Sequence, residues 1–139
     1  MKIYLTAYTA TLIAFVVIDF VWLSIMADRL YRPALGDVLA PSFRLAPAVI
    51  FYLIYAAGLT FLAVRTGVMS GSIATAVIHG AVVGFMAYAT YDLTNQSTLK
   101  SWSTTLTVAD LVWGTVLSAA ASGVGFWVTE RIFGSVARL

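Results

Sequence analysis

Four apolar runs divide this chain, at about 3–26, 47–64, 72–93 and 105–128. A helix rises about 1.5 Å per residue, so roughly 20 residues cross the hydrocarbon of a bilayer. Inside lipid, every backbone N–H and C=O must find a partner within the protein, which leaves helices or a closed barrel. The runs are continuous and lack the sustained alternation of a barrel strand. The expected fold is therefore all-α: a polytopic four-helix transmembrane bundle, forming one domain over 1–139. Composition supports this, with 61% of residues hydrophobic and 10% charged. A soluble domain carries about 25% charged residues.

Several function classes drop out at once. With no cysteine in the chain, there is no disulfide framework, thiol nucleophile or thiolate metal site. One histidine, His79, cannot by itself build a histidine-rich metal centre, and no metal is expected. Net charge is +2 without a Lys/Arg cluster, so nucleic acid is not an expected partner. No nucleophile motif or cofactor loop is present, which leaves the cofactor unknown and enzyme status open. The first run follows Lys2 as a signal peptide would, but it is long and contains Asp19 and Trp22. It is expected to be a retained helix.

The longest connection runs from Asp28 to Ala46, mixing Arg29, Arg32, Asp37 and Arg44 with Leu30, Tyr31, Leu35 and Phe43. It suits either an amphipathic segment lying in the interface or a solvated loop. Four crossings put both termini on one side. Lys2, Arg65, Arg131 and Arg138 on that side balance Arg29, Arg32, Arg44 and Lys100 on the other. The positive-inside rule is tied. Lys2 before the first helix tips the expectation to cytoplasmic termini.

Three acids interrupt the oily runs. Asp19 falls near the end of the first helix, Asp92 near the end of the third and Asp110 near the start of the fourth. This topology brings all three to one membrane side, Asp92 the shallowest. A carboxylate at membrane depth costs about 2.5–3.5 kcal/mol on insertion scales, and such groups usually face protein or a water-filled cavity. Each must take up a proton, meet a cation or accept hydrogen bonds. At about 100° per residue, Tyr88, Tyr91, Asp92 and Asn95 share a broad helix face with Gly84. Trp22 follows Asp19 by three residues and Trp113 follows Asp110 by three, placing an indole beside each acid. The pattern Val-x-Asp-x-Val-Trp thus occurs twice, at 17–22 and 108–113; its helices run oppositely, and the repeat is taken as coincidence. The candidate ligand-binding residues are Asp19, Trp22, Tyr88, Tyr91, Asp92, Asn95, Asp110 and Trp113. The plainer alternative is that the acids cap helix ends or bond to Tyr, Trp or Asn as interhelical glue.

His79 lies about 140° from Asp92 by helical phase and near the other membrane side, so the two do not form a pair. It is expected to be buried and bonded to a neighbouring hydroxyl or carbonyl. Ala76, Gly80 and Gly84 line one ridge of the third helix, while Gly114, Ser118, Ala121 and Gly125 cluster on the fourth. Small residues at this spacing let helices approach closely, either within the chain or across a homodimer.

Tyr91-Asp92-Leu93-Thr94-Asn95, Ser97-Thr98-Leu99-Lys100-x-Trp102 and Asp110-x-x-Trp113-Gly114-Thr115-Val116 together resemble a family of predicted bacterial membrane proteins, domain of unknown function 2177. Asp19-x-x-Trp22-Leu23, Tyr31-Arg32-Pro33-x-Leu35-Gly36 and Phe51-Tyr52-Leu53-Ile54-Tyr55 extend the likeness over nearly the whole chain. The resemblance implies a small four-helix protein of the bacterial inner membrane. It implies no activity and no catalytic residues.

From the residues, the leading expectation is a polar pocket of acids and aromatics, open to one membrane face. Such a pocket would bind, or transform, an amphiphilic or lipid-like small molecule. One alternative is a proton-coupled small-cation transporter or ion pathway, with Asp19 exchanging and an indole offering cation–π contact. Another is a non-catalytic structural subunit of a membrane assembly.

Overall fold

The computed structural model describes residues 1–134; Arg138, counted above in the charge balance, lies outside the described residues. Four helices are long and apolar enough to cross a membrane: α1 Lys2–Leu35, α2 Leu45–Ser70, α3 Ile73–Thr98 and α4 Thr104–Phe133. No strand occurs among the described residues.

Each helix is longer than its apolar run. α1 does not stop at Met26 but passes through a π-helical turn, Ala27–Tyr31, into a last α-helical turn, Arg32–Leu35. The polar residues Asp28, Arg29 and Arg32 end the apolar pattern without ending the backbone ladder. Asp28 and Arg32 pair across one turn at 3.1 Å on the exposed surface. Much of the segment expected as a connection is therefore helix, and residues 39–44 form the irregular remainder. α2 also carries a π turn, Thr60–Val64, and runs on through Arg65–Ser70, beyond the end of its apolar run. It stops at Gly71, whose φ of +65° suits glycine and whose N–H bonds back to Gly67 and Val68. Ser72 and Ser103 then cap α3 and α4, each side chain accepting from the backbone N–H three residues on.

α4 is the most buried helix. It packs against both α3 and α1. The contact with α3 is close because small residues meet there. A β-carbon added at Gly80 would strike Ser118 and Ser122, and one at Gly84 would strike Ser118 and the Gly114 carbonyl. The ridge expected from Ala76, Gly80 and Gly84 is buried along this seam. His79, one residue from Gly80, turns away from the seam and is exposed. The expectation of a buried histidine is overturned, because the small-residue ridge and not the histidine face takes the packed position.

α2 joins the other helices unevenly. Its first half, Leu45–Leu59, packs on α1, whereas its π turn and last turns pack on α3. Phe15, Leu59, Leu117 and Ala121 form a core cluster at mid-bundle, and Ala7, Val64, Val68, Ala76 and Phe126 form another towards the termini. Buried threonines return their hydroxyls to the carbonyl four residues back, as in Thr11 to Ala7, Thr60 to Ala56 and Thr129 to Gly125. This satisfies a polar group without a neighbouring helix.

Candidate functional site

Asp19 is 7% exposed and accepts two hydrogen bonds from other helices. The Tyr52 hydroxyl of α2 donates at 2.7 Å, and the Trp113 indole N–H of α4 donates at 3.1 Å. Asp110 is 5% exposed and accepts from the Tyr31 hydroxyl at 2.6 Å; that hydroxyl in turn accepts from the Trp22 indole at 3.0 Å. The two indoles stack. Each acid is therefore linked to the tryptophan of the opposite helix, not to the one three residues along its own. Antiparallel packing explains the crossing: counted outward along α1, Trp22 lies beyond Asp19, while counted inward along α4, Trp113 lies beyond Asp110. The repeated Val-x-Asp-x-Val-Trp pattern thus acquires a geometric role.

Asp92 behaves differently. α3 runs on to Thr98, so Asp92 lies six residues inside the helix end; Asp110 lies six residues inside the start of α4 at Thr104. The two are at matching depth, about 9 Å in, and Asp92 is not shallower than Asp110. It caps no helix end. Instead it continues the ridge Gly80, Gly84, Tyr88 by one more turn. Gly80 meets Ser122, Gly84 meets Ser118 and Tyr88 meets Gly114, while further along Gln96 donates to Thr104 at 2.9 Å. That register sets Asp92 opposite the turn of Asp110. Asp92 is fully buried, and neither carboxylate oxygen has a hydrogen-bond partner among the described residues.

The other predicted residues fall around this centre. The Tyr88 ring lies where a β-carbon on Gly114 would be. Tyr91 is 58% exposed, turned out from the seam, with its ring edge-on to Trp102 at 5.8 Å. Asn95 is half-buried one turn beyond. The broad face expected for Tyr88, Tyr91, Asp92 and Asn95 is thus divided between the α3–α4 seam and an open side.

That open side is a cavity of about 310 Å³ lined by Phe51, Tyr55, Ala87, Tyr88 and Tyr91. It lies between α3 and the first half of α2, the half that packs on α1 instead. Its inner wall reaches the core, because the Tyr55 hydroxyl lies 2.9 Å from Ser118 Oγ. Three aromatic residues absent from the sequence-derived site thus join it: Tyr31 and Tyr52 bond the acids, and Tyr55 lines the cavity. All three lie in stretches that carry the family resemblance, and that was their only signal. No group of three or more His, Cys, Asp or Glu side chains among the described residues is placed to hold a metal ion.

A family model described as a predicted membrane protein, domain of unknown function 2177, matches residues 4–127. The chain belongs to that family. It is a multi-pass membrane protein of four helices. No curated protein and no solved structure matches it. The family match spans all four helices and every acid of the site, so the site is built within the family domain, not in an appended segment.

Proposed function

We propose that this membrane protein binds an amphiphilic or lipid-like small molecule, its polar end in the cavity between α2 and α3 and its apolar tail in the bilayer. The observation that carries this reading is the lateral cavity lined by Phe51, Tyr55, Ala87, Tyr88 and Tyr91. Its rim is apolar and open, as Phe51 is 44% exposed and Tyr91 is 58% exposed. Its inner wall offers the Tyr55 hydroxyl, 2.9 Å from Ser118 Oγ. A pocket with an oily mouth and a few convergent polar groups at its back suits a ligand of the same polarity. Asp19 fixes Tyr52 by a hydrogen bond, and the Tyr52 ring lies 5.5 Å from that of Phe51 in the cavity wall.

The reading extends to orientation. With the termini in the cytoplasm of a bacterial inner-membrane protein, the acidic end of the bundle faces the outer side, and the cavity takes its ligand from the outer leaflet. Lys2 ahead of α1 supports that orientation.

Native mass spectrometry of the protein released from lipid nanodiscs tests the binding. A defined adduct is expected on the wild type and not on Ala87→Phe, which fills the cavity while leaving the acids untouched. An adduct retained at equal occupancy by the folded variant, or none on the wild type, would overturn the proposal.

A further inference from the structure

We infer that the ligand's head group is an organic cation, an amine or quaternary ammonium, held against the faces of Tyr88 and Tyr91 in the field of Asp19, Asp92 and Asp110. The inference rests on the cavity reading above and names its ligand class. Its first support is a charge imbalance. Three carboxylates are buried in one end of a membrane bundle, and among the described residues none of the three is paired with Lys, Arg or His; Asp28 and Arg32 pair at the surface instead. Hydrogen bonds answer Asp19 twice and Asp110 once, but Asp92 not at all. A buried charge with no partner is costly, and at membrane depth it is relieved by a proton or by an opposite charge.

The second support is where that field is felt. Asp92 follows Tyr91 by one residue and Tyr88 by one helical turn, and the Tyr88 ring packs at Gly114, one turn along α4 from Asp110. Tyr88 and Tyr91 are two of the five cavity-lining residues. A head group seated there meets negative potential through low-dielectric walls, where charges act over longer range than in water. The same two rings, with Tyr55 and Phe51, present the π surfaces that attract cations. An inorganic cation is the poorer match. Calcium takes about 6–8 oxygen ligands, and no group of three or more His, Cys, Asp or Glu side chains among the described residues is placed to hold it. An anionic head group would meet repulsion from all three acids.

The test uses the full chain in a neutral maltoside detergent and three amphiphiles of equal chain length: an alkyltrimethylammonium, a neutral alkyl glucoside and an alkyl sulfonate. Each is titrated below its micelle concentration by microscale thermophoresis. The wild type is expected to bind the ammonium at least about tenfold tighter than the glucoside, and the sulfonate weakest. Asp92→Asn, close in shape to the acid it replaces, should lose most of that preference and keep its affinity for the glucoside. Equal affinity for ammonium and glucoside on the wild type would overturn the inference without needing any variant to fold. If that shared binding also disappears in Ala87→Phe, the cavity reading stands and only the head-group assignment falls. Binding of none of the three overturns both. Full preference retained by folded Asp92→Asn would remove the orphaned carboxylate from the site and overturn the inference as stated.

Discussion

Trp22 and Trp113 stack face to face across the α1–α4 contact, ring centroids 4.2 Å apart and planes 8° from parallel. The stack lies between two carboxylates, since Trp113 donates to Asp19 while Trp22 donates to the tyrosine that serves Asp110. It therefore ties both hydrogen-bonded acids into one rigid unit. Membrane helices gain little from apolar contact alone, because lipid is equally apolar, so specific contacts of this kind carry much of the association.

A double-mutant cycle on Trp22→Leu and Trp113→Leu should show that coupling. Aromatic pairs contribute about 0.5–1.5 kcal/mol beyond the area they cover. The expected interaction energy is in that range, measured by reversible unfolding in mixed micelles. Additive single and double variants would mean that the stack contributes nothing beyond two separate side chains.

The tyrosine hydroxyls give a second prediction. Tyr31→Phe leaves the bonded oxygen of Asp110 without its donor, and Tyr52→Phe removes one of the two donors to Asp19. Stripping a partner from a buried acid costs about 1–3 kcal/mol. Tyr8 offers the comparison, as its hydroxyl reaches the Leu53 carbonyl at 3.3 Å in an exposed setting. Tyr8→Phe should change stability by less than either site variant. Equal effects from all three would show that the acids do not depend on these hydroxyls.

How closely α3 and α4 approach can be tested through glycine. Gly84→Ala puts a methyl against the Gly114 carbonyl, and Gly114→Ala puts one into the Tyr88 ring, whereas a β-carbon at Gly58 meets nothing within 4 Å. Overpacking costs about 1–3 kcal/mol, while Gly→Ala in an open helix gains about 1 kcal/mol from propensity. Gly84→Ala and Gly114→Ala should therefore lower the unfolding midpoint, and Gly58→Ala should raise or preserve it. A rise in all three would refute the close seam.

These contacts differ in how far a sequence exposes them. The four helices were legible because a bilayer demands long apolar runs, and the Gly80–Gly84 seam because small residues recur at helical spacing. Helix ends were less so: Asp28, Arg29 and Arg32 break the hydropathy of α1 without breaking its hydrogen bonds. Tyr31 was hidden by the π turn. Nine residues along an uninterrupted α-helix put it on the face opposite Trp22, yet the widened turn changes the phase and the two bond. Tyr52 and Tyr55 sit in a run that is apolar on every side, so nothing in its pattern tells which face meets α1 and α4. Asp92 looked like the shallowest of three acids, near a helix end. Its lack of a partner depends on which side chains reach it across the seam, a matter of register rather than composition.

The last prediction concerns the side on which the acids open. Native cysteines are absent, so a single cysteine reports its own position without background. Ser42, in the α1–α2 connection, and Ser101, in the α3–α4 connection, are exposed at the acidic end, and Ser70 is exposed at the other. With cytoplasmic termini, a membrane-impermeant maleimide added to intact cells should label Ser42→Cys and Ser101→Cys. It should reach Ser70→Cys only after lysis. The inverted pattern would turn the acidic end inward and make the cytoplasmic leaflet the source of any ligand. Labelling of Ser42→Cys without Ser101→Cys would break the four-crossing topology itself, since both connections must lie on one side if every helix spans.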